Sequence, residues 1–148
     1  MTAPLLVFGW GNASRGDDAL GPRFVDTLRA EFEGDVGVEF LDDYQLQIEH
    51  ALDLVGRRRV LFVDASLSAD PPFTVSAIQA RAESGFSTHA LSAPALLKVY
   101  EDLHRTPAPP CTLLAIRGEQ FDLGQPLGSA AEAHLAAALA WARRWSSR

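Results

Sequence analysis

The sequence predicts an α/β fold, a three-layer sandwich in which a mostly parallel five-stranded twisted sheet with one antiparallel strand lies between helices. Two observations predict it. Short apolar runs alternate with segments of helical periodicity along the 148 residues. The run "LLVFGW" is continuously apolar, which is typical of a strand buried on both faces of a parallel sheet. The length fits one domain, over 1–148.

Strands and helices alternate in the first half of the chain. Residues 5–10 form the apolar run that predicts the first strand. Apolar residues then recur at helical spacing over 21–34, with a proline in the first turn and a glycine at the end. Residues 36–42 alternate as a second strand, and residues 45–56 indicate a second helix. The clearest strand of the chain follows over 59–65, and its apolar run stops at an aspartate.

The second half contains the antiparallel strand. Residues 66–72 are too few for a helical crossover, so the alternating strand over 73–80 should run antiparallel at or near an edge of the sheet. A helix over 92–104 begins with a serine suited to the N-cap and a proline in its first turn. A fifth strand over 111–118 and an Ala-rich helix over about 129–145 complete the sandwich.

Composition excludes several classes of function. The net charge of −6 argues against a nucleic-acid binder or a binder of anionic membranes. The only cysteine, Cys111, has no partner for an intramolecular disulfide and fits a reducing compartment. The N-terminus lacks the basic start of a signal peptide, and no apolar run approaches the ~20 residues of a spanning helix. We therefore expect a cytoplasmic protein without nucleic-acid or membrane partners.

Polar side chains follow three strands at the edge where the carboxyl ends of parallel strands meet, which is where ligands bind in open α/β sheets. Asn12, Asp17 and Asp18 follow the first strand. Asp64 ends the third strand, and His89 lies in the loop after the fourth. Carboxylates and an imidazole with open positions suit a divalent ion such as zinc or nickel.

Each of these residues has an ordinary structural alternative. Asp18 would favour the positive end of the following helix, Asp64 would cap a turn, and His89 would be a solvated loop residue. Helix-end solvation is likewise an alternative for Asp17, whose other possible role is that of a general base. A small buried residue is the simpler role for Cys111, which disfavours a cysteine nucleophile.

The stretch "VFGWGNASRGDDALGPRFVDTL" resembles the N-terminal signature of the hydrogenase maturation endopeptidases, with a strand, a Gly-x-Gly-Asn turn, paired acids, an apolar pair and a glycine. "VLFVDA" resembles their third strand, and "STHALSAPALL" resembles their histidine segment. The resemblance runs from about residue 4 to 117 and weakens in the Ala-rich tail.

The resemblance implies an activity and a site. Such proteins remove a C-terminal extension from the large-subunit precursor of a nickel-iron hydrogenase once nickel is in place. It implies that Asp18, Asp64 and His89 are the metal ligands and the catalytic residues. The nickel is carried by the precursor, another divalent metal could replace it in vitro, and the enzyme is expected to be a monomer. Some members carry Glu where this chain has Asp18.

One departure concerns the partner. Many members have Asp-Gly-Gly-Thr after the second strand, whereas this chain reads "LDDYQLQIEHALDL", in which Gln45 and Glu49 lie one helical turn apart if the segment is a helix. Contact with the precursor and an ordinary exposed helix face are the two interpretations of that pair. The residues expected to recognise substrate are Gly11, Asn12, Asp17, Asp43, Gln45 and Glu49.

Two other functions stay open at this point. One is a nickel-dependent maturation chaperone that docks on the precursor without cutting it. The other is a nucleotide-binding α/β enzyme that uses the Gly9-x-Gly11 turn. A dinucleotide-binding fingerprint requires a third glycine where this chain has Ser14, and the acids Asp17 and Asp18 would repel a pyrophosphate. The glycines are therefore expected to form a tight turn, braced by an asparagine, that presents acids to a cation.

Overall fold

The structure is a computed structural model that describes residues 2–83 and 91–147. In this part of the chain, two 3₁₀ helices accompany the regular elements, over Gly16–Ala19 and Ile48–Leu54. The strands and α-helices of the described residues are β1 (Leu5–Trp10), α1 (Leu20–Glu31), β2 (Val38–Asp43), β3 (Arg59–Ser66), β4 (Phe73–Ile78), α2 (Ala93–His104), β5 (Cys111–Arg117) and α3 (Ser129–Ser146).

The strands form one five-stranded sheet in the order β2-β1-β3-β5-β4. All neighbours are parallel except β4, which pairs antiparallel with β5 at the edge. The predicted α/β class, the mostly parallel sheet and the antiparallel edge strand are confirmed. Because β1, β2 and β3 are parallel, their carboxyl ends lie side by side, with Trp10 opposite Asp43 and Gly9 opposite Val63.

Apolar side chains cover both faces of the sheet, as the continuous apolar strands predicted. On one face, α1 and α3 pack against β1, β3 and β5. On the other face, α2 and the second 3₁₀ helix pack against the same strands. Successive residues of a strand point to opposite faces, so Phe62 and Asp64 share the face that α2 covers, and the sheet directs Asp64 toward that side.

Two sequence predictions need correction. The helix expected over 45–56 is only the short 3₁₀ helix Ile48–Leu54, and Gln45 lies outside it. The third strand does not stop at Asp64 but continues to Ser66, because β5 still pairs with it there. The other elements agree with prediction to within a few residues, and Ser92 caps α2 by accepting a hydrogen bond from the Ala95 amide at 3.2 Å.

Candidate functional site

The turn after β1 has a backbone that favours glycine. Gly11 has φ +149°, and a Cβ there would overlap the carbonyl oxygen of Asp18. The Asn12 side chain braces the turn, since its Oδ1 accepts a hydrogen bond from the Ser14 amide at 2.8 Å. The Gly11 amide in turn donates to the carbonyl of Asp43 at the end of β2. The turn is thus tied to the neighbouring strand and packed directly on the segment that carries Asp18.

Asp18 lies in the 3₁₀ helix that precedes α1. Its half-buried carboxylate accepts a hydrogen bond from the Asn12 amide at 2.7 Å through Oδ2. No side chain caps the start of α1. Asp18 lies in the first turn of the 3₁₀ helix, where an acid favours the positive helix end, and its carboxylate faces back toward the end of β1.

Asp64 lies on β3 beside an aromatic cluster. The Trp10 indole N–H donates a hydrogen bond to its carboxylate. The Trp10 ring packs edge-on against Phe62 at 5.9 Å, and Phe8 lies at 6.4 Å from Trp10. The pKa of Asp64 is raised to about 7, mainly by burial and also by the nearby charge of Asp18, while hydrogen bonds from the Ala65 backbone and Trp10 oppose the shift. A cation beside Asp64 would relieve this unfavourable charge.

The structure brings together two of the three residues that the resemblance assigned to a metal. Asp18 and Asp64 come from different elements, and they lie near enough for the charge of one to affect the other's pKa. Both are oxygen donors, which a divalent cation accepts. Among residues 2–83 and 91–147, no group of three or more His, Cys, Asp or Glu could hold a metal ion. His89 lies outside the described residues, so its role stays a prediction.

The turn has little to offer a phosphate. A phosphate-binding loop presents free backbone amides to its ligand. Here the amide of Asn12 is taken by the Asp18 carboxylate. The other amides of the turn that donate to acceptors within the protein are those of Gly11, Ser14, Arg15, Gly16, Asp17 and Asp18. The geometry therefore argues against the nucleotide-binding interpretation of Gly9-x-Gly11.

Asp17 is a structural residue in this fold. It is 1% exposed, so the expectation of a solvated helix-end acid is wrong. Its Oδ2 accepts from the amides of Glu119 and Gln120 at 2.7 and 3.2 Å, and its Oδ1 accepts from Gly128 at 2.9 Å. These bonds fasten the first 3₁₀ helix to the segment between β5 and α3. A carboxylate that is almost fully buried and already accepts three hydrogen bonds does not face a substrate, so Asp17 is not part of the candidate site.

Asp43 has a histidine partner that the sequence analysis missed. His50 Nε2 lies 3.1 Å from Asp43 Oδ2, and His50 Nδ1 accepts a hydrogen bond from the Gln47 amide at 2.8 Å. Because Nδ1 is an acceptor, the neutral ring carries its proton on Nε2 and donates it to Asp43. The ring also packs on Phe8 at 4.6 Å. No sequence motif indicates this pair, because the two side chains meet only when the turn after β2 has folded.

The remaining substrate-recognition candidates lie on the surface near the same strand end. Gln45 and Glu49 are both exposed, but Gln45 precedes the 3₁₀ helix, so the two do not form the helical pair expected from spacing. Their role toward a substrate stays a prediction. A second residue missed by the sequence analysis is Trp10, whose indole N–H reaches Asp64 across β1 and β3.

Cys111 does not have the features of a nucleophile. It is 4% exposed, and its Sγ donates to the carbonyl of Pro109 at 3.1 Å. Burial raises the pKa of the thiol to about 12, so almost no thiolate exists at neutral pH. The expected role of a small buried residue fits these observations.

Solved hydrogenase maturation proteases share this fold. The hydrogenase maturating endopeptidase HybD from Escherichia coli matches with a TM-score of 0.74 at 24% identity, covering 97% of this chain and 93% of that one. The [NiFe] hydrogenase maturation protease HycI from Thermococcus kodakarensis matches with a TM-score of 0.73 at 18% identity, covering 97% and 91%. A hydrogenase 2 maturation peptidase from a Thaumarchaeota archaeon matches with a TM-score of 0.67 at 24% identity, covering 97% of both chains.

At these identities the likeness concerns the fold. No family model matches the chain, and no curated protein matches it in sequence. Within the described residues, none of the helices has both the length and the apolar character needed to span a membrane.

Proposed function

We propose that this protein is an endopeptidase that removes the C-terminal extension from the large-subunit precursor of a nickel-iron hydrogenase after nickel insertion. The observation that carries the proposal is the convergence of Asp18 and Asp64 at the carboxyl edge of a sheet whose fold is that of solved hydrogenase maturation proteases. The single cysteine fits a reducing compartment, and we place the activity in the cytoplasm, with the enzyme acting as a monomer.

The two acids suit a cation that arrives with the substrate. Asp18 is held by the Asn12 amide, and Asp64 is held by the Trp10 indole, so both carboxylates are oriented before the substrate binds. Burial and the charge of Asp18 raise the pKa of Asp64, and the groups that oppose the shift are the Ala65 backbone and the Trp10 indole, neither of which is a cation. In this proposal His89 adds an imidazole to the two carboxylates, and the site is completed by the nickel of the precursor.

The nickel serves both recognition and positioning. A bound metal ion can polarise a carbonyl or lower the pKa of a coordinated water. Asp18 and Asp64 would bind the ion and thereby orient the precursor chain over the turn formed by Gly11 and Asn12. A precursor without nickel would lack the group that the carboxylates hold, which explains why processing would wait for metal insertion.

The test is the intact mass of a nickel-loaded large-subunit precursor incubated with the protein. We expect loss of a short C-terminal peptide from nickel-loaded precursor and no change in nickel-free precursor. Asp18→Asn, Asp64→Asn and His89→Ala should each abolish the loss. A stable complex without any mass change would instead identify a maturation chaperone. The absence of both cleavage and binding would refute the proposal.

Matched controls separate the site from general effects on the fold. Asp102→Asn and His104→Ala change an aspartate and a histidine, as the site variants do. Both residues lie near the end of α2, shortly before β5 begins, and so at the end of the sheet opposite the candidate site. Both side chains are exposed. These two variants should process the precursor at the wild-type rate.

A further inference from the structure

Asp43 ends β2 beside the turn that leads to the candidate site. Its carbonyl accepts a hydrogen bond from the Gly11 amide at 3.1 Å, and the residue lines a cavity of about 360 Å³ together with Gly11 and Tyr44. Gly11 also borders the candidate site, because a Cβ there would lie 3.4 Å from Oδ1 of Asp18. A polypeptide that crosses the turn toward Asp18 therefore passes the Asp43 carboxylate.

Two neutral groups hold the Asp43 carboxylate. Its Oδ1 accepts a hydrogen bond from the Tyr44 amide at 2.7 Å, and its Oδ2 accepts one from His50 Nε2 at 3.1 Å. Such bonds orient a carboxylate and leave its negative charge in place. The other acid that lines the cavity, Asp42, is paired with Arg29 at 3.0 Å. Because 35% of the Asp43 side chain is exposed, its oxygens keep room for a further donor.

The His50 ring is itself held in one orientation. Its Nδ1 accepts a hydrogen bond from the Gln47 amide at 2.8 Å, and the ring packs on Phe8 at 4.6 Å. The His50 side chain is 11% exposed, and Phe8 belongs to the core. The cap of the second 3₁₀ helix uses Nδ1 alone. The direction of Nε2 toward Asp43 is therefore a separate feature of the ring.

From these contacts we infer that His50 is a positioning residue, which holds the Asp43 carboxylate so that it accepts a hydrogen bond from an N–H group of the precursor's tail. That group is a backbone amide or a basic side chain. The inference rests on the proposed function and on the predicted contact of Asp43 with substrate. A contact at a distance from the reacting bond binds substrate and transition state alike. Its loss should therefore raise KM and leave kcat nearly unchanged.

Two substitutions of His50 separate its two hydrogen bonds. Asn carries its side-chain oxygen at the same position along the side chain as Nδ1 of His, so His50→Asn retains the acceptor for the Gln47 amide and loses the donor to Asp43. Gln carries its NH₂ nitrogen at the position of Nε2, so His50→Gln retains the donor and loses the acceptor. Both variants lose the aromatic ring, so they are matched in their loss of packing on Phe8.

The assay is the processing of nickel-loaded precursor. We expect His50→Asn to raise KM by about tenfold, with kcat within about twofold of wild type. His50→Gln should restore KM to within about twofold of wild type, and its melting temperature should fall by about 3–6 °C because the Gln47 amide loses its acceptor. The control is His104→Asn, since the His104 ring also packs on an aromatic ring, that of Tyr100 at 4.6 Å, but lies near the end of α2. This control should leave both constants unchanged.

A second comparison tests whether His50 acts through Asp43. Asp43→Asn should raise KM at least as much as His50→Asn, and the double variant should be no worse than Asp43→Asn alone. A precursor whose C-terminal tail has Gln in place of every Lys and Arg identifies the donor. If Asp43→Asn still raises KM for that precursor, the donor is a backbone amide. If the effect vanishes, the donor is a basic side chain.

Other outcomes overturn the inference in distinguishable ways. An unchanged KM in His50→Asn, with processing intact, removes the positioning role and leaves the proposed function standing. Equal rises of KM in His50→Asn and His50→Gln would show that His50 contributes only packing. Effects that add in the double variant would show that His50 does not act through Asp43. Failure of the wild-type protein to bind or cut the precursor would overturn both proposals, and thermal melting checks that each variant is folded at the assay temperature.

Discussion

Two neighbouring carboxylates in this protein, Asp17 and Asp18, have very different surroundings. Asp17 is buried and accepts hydrogen bonds from three backbone amides, whereas Asp18 is half-buried and bonds to the Asn12 amide. The sequence "GDDA" does not distinguish them. The 3₁₀ turn does, because it directs one side chain into the protein and the next toward the sheet edge.

This difference predicts opposite phenotypes for the same substitution. Asp17→Asn replaces a carboxylate, which only accepts hydrogen bonds, by an amide whose NH₂ group would face backbone N–H groups. The free energy of unfolding should therefore fall by roughly 2–3 kcal/mol. Asp18→Asn keeps an oxygen for the Asn12 amide and should change that free energy by less than about 1 kcal/mol. Denaturant titration measures both.

In the processing assay the order should reverse. Asp18→Asn should lower the rate at least about 100-fold, since a metal ligand supplies several kcal/mol. Asp17→Asn should keep most of its activity at temperatures where it is folded. Equal loss of stability in the two variants would contradict the assignment.

Asp64 makes the stability of the free protein depend on pH. Its pKa rises from 3.8 to about 7 on folding, so the folded chain binds the proton more tightly than the unfolded chain. The resulting stability is present in full below pH 4 and is lost as the pH rises through about 7. Asp64→Asn removes the titration and should be more stable than wild type at pH 8, by at most about 4 kcal/mol.

The measurement is the denaturation midpoint from pH 4 to pH 8, with the exposed acid Asp70→Asn as the control. Wild type and Asp64→Asn should converge at low pH and diverge as the pH rises. A constant difference across this range would refute the assigned pKa. A gain in stability together with a loss of processing would identify Asp64 as a residue kept for function.

At the scale of elements, the close approach of β1 and α1 sets the position of the site. A Cβ at Gly9 would lie 2.6 Å from the Gly21 carbonyl oxygen and 2.7 Å from Val25 Cγ2. The glycine of the strand thus allows the helix backbone to pack directly against it. This contact places the start of α1, and with it Asp18, over the end of β1.

Gly9→Ala should therefore overpack this contact and lower the free energy of unfolding by about 1–3 kcal/mol. Val25→Ala removes one of the two obstructing groups. The loss in the double variant should be smaller than the sum of the two single losses, because the substitutions share a contact. A double-mutant cycle by urea denaturation measures this coupling, and strict additivity would argue against the packing described.

At the scale of the whole molecule, helices on both faces enclose the sheet and shield its strands. Cys111 begins β5 and lies in the core formed with α2 and the second 3₁₀ helix. The thiol is buried and its pKa is raised to about 12. It becomes reactive only when this layer opens.

The rate of Cys111 modification should therefore report opening of the fold. We expect a thiol reagent at pH 8 to react at least about 100-fold more slowly with the native protein than with protein in denaturant. Cys111→Ala should still process the precursor, because the thiol has no part in the proposed chemistry. Rapid modification of the native protein, or loss of processing in this variant, would contradict the buried role.

The sequence by itself determined the architecture and brought the candidate acids to one edge of the sheet. Continuous apolar strands, helical stripes and a connection too short for a crossover are local signals, and they were sufficient for the mostly parallel sheet with β4 antiparallel at its edge. The carboxyl-edge rule then placed Asp18 and Asp64 together without any coordinates. Their proximity follows from strand direction alone, which is why it was predictable.

Only the tertiary structure decided which polar groups are free and which are occupied. The burial of Asp17 and the indole of Trp10 beside Asp64 join residues from separate segments, and the Asp43–His50 pair depends on how the turn after β2 folds, so no sequence motif encodes them. The same holds for the short 3₁₀ helix over Ile48–Leu54. Its conformation is stabilised by core contacts and by the His50 hydrogen bonds, whereas periodicity alone predicted a longer helix. Hydrogen bonds and burial across the chain are properties of the packed fold, and they separate Asp17, which the fold occupies, from the more exposed candidate ligand Asp18.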